Sequence, residues 1–235
     1  MAENDVLTAR ARYSEAMLAE IGEPDRTRLR TALTRIGNDT ILSPRTWSGD
    51  AHVGRYSIKP GDTLGEIAKA HKISAGLLAS INNIENINLI RAGQVIKVIY
   101  GPFRAVVHKH EYVLDVYLGD TFVTHFKVGL GADDGTPTGT WRVGTKLRNP
   151  TYYPPRGGQM IAADDPANPL GERWIALIGA DGDALGAQRY GIHGTIEPNS
   201  IGHSVSLGCI RMYNDDVAQL YAYLVETHST VRVLN

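Results

Sequence analysis

The chain of 235 residues has little cysteine, little net charge and no long apolar run. Cys209 is its only cysteine, so no internal disulfide can form and the thiol can stay free even in an oxidising compartment. The 24 Lys and Arg residues balance 25 Asp and Glu residues, which leaves no electrostatic footprint for nucleic acid. No stretch approaches the roughly 18 consecutive apolar residues of a membrane-spanning helix. These absences argue against a disulfide-stapled scaffold, a basic nucleic-acid binder and a helical membrane span.

The first residues also lack a secretory signal. Residues 1–5 have neither the basic start nor the apolar core of such a signal, so either the protein is cytosolic or the chain was shortened for expression. Glycine and proline are abundant, with 25 and 11 residues, beside 43% hydrophobic residues. This composition favours a globular, turn-rich protein that contains β-structure, as one large domain or two smaller ones.

Residues 1–54 predict two helices followed by a linker. Apolar residues recur at a ragged helical spacing over 6–21. A second helical pattern opens at Pro24 and is closed by Gly37. The stretch 43–54 is expected to be the linker. The segment is too short for a core of its own, and its role stays open between the tail of a larger helical region, a spacer and a brace.

Residues 55–100 predict a small module with the order strand, helix, helix, strand. After a turn at 60–62, Thr63 has capping-box spacing with Glu66, and Ser74 caps a second short helix. The module resembles a LysM domain. The residues that carry the resemblance are Tyr56 to Leu64, Ile67-Ala68, Asn82 and Gly93 to Ile96. The resemblance implies that the module binds the glycan strands of peptidoglycan, which contain N-acetylglucosamine.

Residues 102–235 predict a mainly β fold with one late helix. Strands are expected at 106–107, 112–116, 122–128, 141–143 and 174–178, where apolar residues alternate with polar ones or run together. Gly119-Asp120 fits the two-residue loop of a hairpin. Trp174 is expected in the core. Only residues 215–226 place their apolar residues on one helical face.

Cys209 and His193 are the candidate catalytic pair. A thiol with an ordinary pKa of about 8.5–9 is only slightly ionised at neutral pH. A neighbouring imidazole can take its proton and return it to a leaving amine. His193 follows an expected strand and precedes Gly194, where the chain can turn tightly and aim the ring into a cleft. No acidic residue lies adjacent, so a backbone carbonyl or a polar side chain must orient the ring.

Three neighbours of Cys209 have expected roles of their own. Gly208 lets backbone N–H groups approach a developing oxyanion without a side-chain clash. Arg211 can form a bidentate pair with a substrate carboxylate. Ser206 either hydrogen-bonds the substrate or holds the loop.

Two features near Cys209 allow other interpretations. His193, His203 and Cys209 could suggest a metal site, but no CxxC or HExxH spacing supports it, so neither a metal nor a cofactor is expected. Tyr152 and Tyr153 lie in a proline-rich stretch and either belong to the core or cover the substrate.

The motifs around these residues resemble the catalytic signature of L,D-transpeptidases, the YkuD-type domain. The matching stretches are His193-Gly194-Thr195, Gly202, Ser206, Gly208-Cys209-Ile210-Arg211, Thr136 to Trp141, Asn149-Pro150 with Pro154-Pro155, and Asn168 to Gly171. They cover nearly all of 103–235. Many members of the family have histidine where this chain has Leu207, so help from a second imidazole is absent here.

The resemblance implies a YkuD-type β-sandwich and assigns roles to individual residues. Cys209 would be the acylated nucleophile and His193 its acid/base partner. The backbone carbonyl of Gly194 would orient that histidine, and the backbone around Gly208 and Cys209 would form the oxyanion hole. A carbapenem is expected to add covalently to Cys209.

The sequence as a whole predicts a cell-wall enzyme divided into 1–54, 55–100 and 102–235. The catalytic domain would cleave the L,D bond beside the terminal D-residue of a stem tetrapeptide, and an amine of a neighbouring stem would then form a 3→3 cross-link. Water or a protein amine as acceptor stays open, giving an L,D-carboxypeptidase or protein attachment. A non-catalytic peptidoglycan-binding protein also stays open. Because peptidoglycan lies outside the cytoplasmic membrane, an exported protein of the periplasm or cell wall is expected, its signal missing from this chain.

Overall fold

A computed structural model describes residues 3–19, 21–154 and 157–235. The chain divides into two compact units. The first contains Met1–Arg104 and Asp115–His125, and the second contains Ala105–Leu114 and Phe126–Asn235. The expected division into 1–54, 55–100 and 102–235 stays a prediction. No helix within the described ranges is both long and apolar enough to cross a membrane.

Two helices form the N-terminal part of the first unit, as predicted. Helix α1 is Glu3–Leu18 and helix α2 is Glu23–Thr40. Proline in the first turn of α2 suits its start, because the missing N–H would have no partner inside the helix. The prediction that Gly37 closes α2 is wrong, since the helix continues to Thr40.

Gly37 lies inside α2 because a strand backbone passes against it. A Cβ added at Gly37 would lie 2.2 Å from the carbonyl oxygen of Val123. The residue is buried, and helix and strand can approach this closely only without a side chain at this position. Glycine there reflects tertiary packing, and the packing outweighs its poor helix propensity.

We expect Gly37→Ala to lower the free energy of unfolding by about 1–3 kcal/mol, the usual cost of forcing extra atoms into a packed interior. Gly65→Ala is the matched control, because Gly65 also lies in a helix but the nearest atom to its added Cβ is 4.0 Å away. That control should be neutral or stabilising by up to about 1 kcal/mol. Urea unfolding of both variants makes the comparison, and equal stabilisation by the two substitutions would contradict the close approach to Val123.

The stretch after α2, predicted to be a linker, is fastened at several points. Asp50 is buried and accepts two hydrogen bonds from Arg10 of α1, at 2.7 and 2.8 Å. The Lys97 ammonium donates to the carbonyl oxygens of Thr40, Ser43 and Arg45 at 2.7–2.8 Å. These bonds satisfy backbone groups at the end of α2, where a helix has no acceptors for its own carbonyls. The stretch therefore has a fixed path within the first unit.

The strand, helix, helix, strand order of the small module is confirmed. Its elements are β1 Val53–Ser57, α3 Leu64–Ala70, α4 Ala75–Ser80 and β2 Val95–Ile99, with β1 and β2 antiparallel. Thr63 and Glu66 form the predicted capping box, and the Ser74 hydroxyl accepts the N–H of Leu77 at 3.0 Å. Local sequence signals therefore set both helix starts.

The predicted hairpin across Gly119-Asp120 is also confirmed. It joins β4, Val113–Leu118, to β5, Thr121–Lys127. Alternation in the sequence predicted one buried face, but Asp115 is fully buried together with the apolar residues beside it. Asp115 lies there because Arg30 of α2 donates to both of its carboxylate oxygens, at 2.8 and 2.9 Å. A buried carboxylate requires such a partner.

A mainly β architecture with one late helix is confirmed. The remaining elements are β3 Phe103–His108, β6 Leu130–Gly131, β7 Gly139–Arg148, β8 Arg173–Gly179, β9 Tyr190–His193, β10 Ser204–Ser206, β11 Ile210–Arg211, α5 Asn214–Tyr223 and β12 Thr230–Leu234. Eight strands form one sheet in the order β11-β9-β8-β7-β12-β3-β4-β5, and β10 pairs with β6 apart from it. Helix α5 ends at Tyr223, three residues before the expected end, because Leu224 is extended.

Strand β9 lies between β8 and β11 in the large sheet. It runs antiparallel to β8 and parallel to β11, with Ile192 opposite both Ile175 and Ile210. These three side chains are buried to 1% exposure or less. The apolar contacts fix the register of the three strands, and a one-residue slip would move them to the other face. The register in turn decides which residues meet at the end of β9.

Candidate active site

A cavity of about 530 Å³ opens at the end of β9 in the second unit. It brings together four of the residues singled out in the sequence, Cys209, His193, Ser206 and Arg211. The other residues around it are mostly apolar: Leu147, Pro150, Thr151, Tyr152, Tyr153, Pro154, Pro169, Leu170, Trp174, Arg189 and Leu207. Gly194 and Gly208 support the cavity from outside its lining.

The register of β9 and β11 brings Cys209 and His193 to the same cavity. His193 is the last residue of β9 and lies opposite Arg211, while Cys209 immediately precedes β11. The N–H of Met212 donates to the carbonyl of His193 at 2.9 Å and ties the two strands together beyond the pair. Backbone pairing, not a flexible loop, therefore brings the two residues to one cavity.

The His193 ring is held by its neighbour. Its Nδ1 lies 2.6 Å from the carbonyl oxygen of Gly194. A carbonyl oxygen can only accept a hydrogen bond, so in the neutral ring Nδ1 carries the proton and Nε2 has a free lone pair. Burial lowers the pKa of His193 to about 4, with the Arg211 charge acting in the same direction and the Gly194 bond opposing both. His193 is therefore neutral at pH 7 and able to accept a proton.

Asn214, which the sequence analysis did not single out, fixes the chain just after His193. Its side-chain oxygen accepts the N–H of Thr195 at 3.0 Å, and its amide donates to the Thr195 carbonyl at 3.1 Å. A Cβ added at Gly194 would lie 2.0 Å from the same Asn214 oxygen. The lack of a side chain at Gly194 therefore permits the two Asn214 hydrogen bonds. These bonds fix the segment that contains the Gly194 carbonyl, which orients His193.

The thiol of Cys209 is protonated at rest. Burial raises its pKa above the ordinary value of 9.0, while a backbone hydrogen bond with Gly191 and the charge of Arg211 lower it by less. With His193 neutral and the thiol neutral, the pair holds no preformed thiolate and imidazolium. Proton transfer must then accompany attack on the substrate.

The pH dependence of alkylation tests this resting state, because Cys209 is the only thiol that can react. We expect the rate with iodoacetamide to rise with pH through a midpoint above the ordinary value of 9.0, since burial opposes the charged thiolate. Urea-denatured protein is the control and should titrate at the ordinary value. A rate that reaches its plateau below pH 7 would contradict the neutral pair and indicate a thiolate and imidazolium at rest.

The loop before Cys209 is held by side-chain hydroxyls. Ser206 is buried, and its Oγ donates to the Cys209 carbonyl at 2.6 Å and accepts the Gly208 N–H at 3.1 Å. Thr136 Oγ1 accepts the Gly131 N–H and donates to the Gly208 carbonyl, both at 2.9 Å. Of the two roles expected for Ser206, these contacts correspond to holding the loop.

The backbone at Gly208 is held by its neighbours, and the expected oxyanion hole around Gly208 and Cys209 stays a prediction. Its N–H is already bonded to Ser206, whereas the N–H of Cys209 donates to no other group in the part of the chain that the structure describes. Gly208 has a φ of 131°, and an added Cβ would lie 2.7 Å from both the Gly135 carbonyl and the Tyr190 ring. Its lack of a side chain thus permits close packing behind the loop.

Arg211 is anchored at one end of its guanidinium. Its Nη1 donates to Glu197 at 2.7 Å, and its side chain is 18% exposed. Its Nε is buried without a hydrogen-bond partner among the described residues. Arg211 also acts on both reacting groups, since its positive charge lowers the pKa of His193 and of Cys209.

Trp174 lines the cavity, so its expected place in the core is wrong. It pairs with His193 across β8 and β9, and the two rings stack at 5.7 Å with an angle of 19° between their planes. A Cβ added at Gly191 would lie 2.5 Å from the Trp174 ring, so this glycine leaves room for it. Trp174 covers one face of the imidazole and helps to exclude water from it, in line with the low pKa of His193.

Tyr152 and Tyr153 both line the cavity, and neither is buried in the core. That they cover the substrate stays a prediction. Tyr152 pairs with Ile161 through two backbone hydrogen bonds of 2.9 and 3.0 Å. Asn168 ties the chain on either side of this pair, because its amide donates to the carbonyls of Pro150 and Ala162 at 2.8 and 3.0 Å. These bonds hold Tyr152 and Tyr153 at the rim of the site.

Comparison with known proteins agrees with the resemblance in the sequence. Residues 102–233 match the L,D-transpeptidase catalytic domain, and residues 56–98 match the LysM domain. The YkuD protein of Bacillus subtilis (strain 168) is 35% identical over 173 residues, which cover 70% of this chain and 90% of that protein. The YkuD protein of Bacillus licheniformis is 33% identical over 174 residues, with the same two shares, 70% and 90%.

A third relative is covered less completely. The YqjB protein of Bacillus subtilis (strain 168) is 41% identical over 117 residues, which cover 49% of this chain and 62% of that protein. The chain thus spans less than two thirds of YqjB. The catalytic-domain match alone covers more than half of the 235 residues. The chain therefore belongs to the L,D-transpeptidase catalytic domain family, with a LysM domain preceding the catalytic domain.

Proposed function

We propose that the protein is a peptidoglycan L,D-transpeptidase that forms 3→3 cross-links through a thioester on Cys209. One observation carries this proposal. His193 shares a cavity with the thiol, and its Nδ1 is bonded to the Gly194 carbonyl at 2.6 Å, which leaves Nε2 to accept the thiol proton. A packed cysteine would need neither the free imidazole lone pair nor the open cavity.

The first half of the reaction acylates the thiol. The sulfur of Cys209 attacks the carbonyl carbon of the L,D bond beside the terminal D-residue of a stem tetrapeptide, and its proton passes to Nε2 of His193. The N–H of Cys209 donates to the resulting oxyanion. The intermediate then collapses, the C–N bond breaks, and the leaving amine takes the proton from Nε2.

The second half transfers the acyl group. A side-chain amine of a neighbouring stem attacks the thioester and gives its proton to Nε2 of His193. The C–S bond breaks and the sulfur regains the proton, which restores the neutral pair. Trp174, Tyr152 and Tyr153 line the cavity and limit access of water to the thioester, so that an amine can compete with hydrolysis.

The LysM domain binds the same polymer at a second point in this proposal. It would hold glycan strands that contain N-acetylglucosamine, and the covalent link would keep the catalytic domain close to their stems. Tethering of this kind raises the effective concentration of the second site without any new contact. The protein would then act outside the cytoplasmic membrane, in the periplasm or cell wall.

Incubation with purified tetrapeptide-rich muropeptides, followed by mass spectrometry, tests the proposal. Dimers joined between the third residues of two stems, with release of the terminal D-residue, are the expected products. Tripeptide without dimer would instead indicate an L,D-carboxypeptidase, in which water is the acceptor. Attachment of stems to an added protein amine, again without dimer, would indicate protein anchoring.

A further inference from the structure

Arg189 is a cavity residue to which neither the sequence analysis nor the proposed reaction gives a role. It immediately precedes β9, and it lines the same cavity as Cys209 and His193. Its backbone φ is 67°, in the left-handed region that suits glycine and disfavours a residue with a Cβ. A long cationic side chain is therefore held where glycine would be less strained. Such backbone strain concentrates at functional sites.

The charge of the cavity gives Arg189 a distinct position. The described residues around the cavity include two arginines and no acidic side chain. Arg211 is already paired with Glu197 at 2.7 Å. Arg189 makes no hydrogen bond or ion pair with any residue that the structure describes. Arg189 is an exposed residue, and its positive charge has no counter-charge at the edge of a largely apolar site. This arrangement suits an anionic ligand.

We propose that Arg189 binds the terminal carboxylate of the donor stem peptide, the carboxylate of the residue that leaves when Cys209 is acylated. This inference rests on the proposed function. A guanidinium presents parallel N–H donors that match the two oxygens of a carboxylate. Arg189 would then select donors with a free carboxyl end and position the scissile bond.

The position of Arg189 just before β9 favours the terminal carboxylate over the other carboxylates of a stem peptide. Arg189 lies two residues before Gly191, whose backbone bonds the sulfur of Cys209. Two residues of extended chain span about 7 Å, a distance that an arginine side chain can bridge. The terminal carboxylate is only three bonds from the carbonyl carbon under attack. It therefore comes close to the sulfur, and to Arg189, whenever the donor is bound for reaction.

Binding to the Cys209→Ala protein tests this assignment without requiring turnover. Calorimetry would compare a tetrapeptide that has a free terminal carboxylate with the same peptide as a terminal amide. We expect the acid to bind at least about tenfold more tightly, since a charge-assisted contact is lost in the amide. Adding Arg189→Gln should bring the two affinities to within about twofold, while Arg189→Lys keeps part of the difference. Glutamine retains the Cβ and the backbone requirement of position 189, so the comparison isolates the charge.

Arg142→Gln is the matched control, because Arg142 is an exposed arginine on β7 outside the cavity lining. It should leave the preference for the acid unchanged. A preference that survives Arg189→Gln, one that is lost with Arg211→Gln instead, or failure of both peptides to bind would each overturn the assignment. Failure of the proposed function looks different: both peptides bind as expected, but the protein with its native Cys209 forms neither acyl-enzyme nor product.

Discussion

Replacing Cys209 with alanine is expected to lower product formation from tetrapeptide stems by at least about 10³-fold, because no other group takes over the covalent step. The protein should still fold and still bind sacculi. Its half-buried thiol contributes little packing, and the LysM domain contains no part of the reacting pair. Mass spectrometry of the products, sedimentation with sacculi and thermal unfolding measure the three properties separately.

Leu207→Ala is the control for that loss. Leu207 lies in the same loop, is 66% exposed and lines the cavity, but it supplies no reacting atom. Most of the turnover should remain. Turnover that persists in Cys209→Ala would place the nucleophile elsewhere. A native protein that binds sacculi but never turns over would instead favour a peptidoglycan-binding protein with an inactive catalytic domain.

Replacing Arg30 with methionine is expected to cost about 3–5 kcal/mol of unfolding free energy, the usual penalty for breaking a buried ion pair. Arg30 and Asp115 are 3% and 0% exposed at their side chains, and the guanidinium donates to both carboxylate oxygens. Without Arg30, the Asp115 carboxylate stays buried with its main counter-charge gone. Urea unfolding measures the loss.

Two further variants separate the buried charge from general damage to α2. Arg28→Met lies on the same helix, where Arg28 is 83% exposed and 3.7 Å from Asp25, so its effect should stay within about 0.5 kcal/mol. Arg30→Met combined with Asp115→Leu should regain much of the lost stability, since no unpaired charge remains. A double variant as unstable as Arg30→Met alone would contradict the explanation. If the three variants behave as expected, the stability of the first unit depends on the contact between α2 and Asp115.

Local signals predicted much of the fold, and tertiary contacts account for the misses. The caps at Thr63 and Ser74 and the Gly119-Asp120 loop act within a few residues, so the sequence alone identifies them. Gly37 was predicted to end α2. The contact that requires glycine there is with the backbone of Val123, which lies far along the chain and gives no local signal. The sequence gives no sign that Asp115 is buried, because its partner Arg30 on α2 is 85 residues away.

The sequence predicted those residues of the candidate site that lie in short, recognisable motifs. Cys209 and His193 could be paired from their residue types and surroundings, and the resemblance assigned their individual roles. Trp174 was missed because its role depends on the register of β8 against β9, which no local pattern specifies. Asn214 was missed because an asparagine at a helix start has a local explanation in capping, whereas here its side chain clasps Thr195.

The central claim is that the stem becomes bound to Cys209 as a thioester. The most direct measurement is the intact mass of the native protein, quenched in acid during reaction with a stem tetrapeptide. We expect one added acyl group, whose mass equals that of the tetrapeptide less that of the free terminal D-amino acid. That amino acid leaves with the thiol proton. Fragmentation should place it on Cys209, and hydroxylamine should remove it. Product formed with no covalent intermediate, or an acyl group on another residue, would contradict the account.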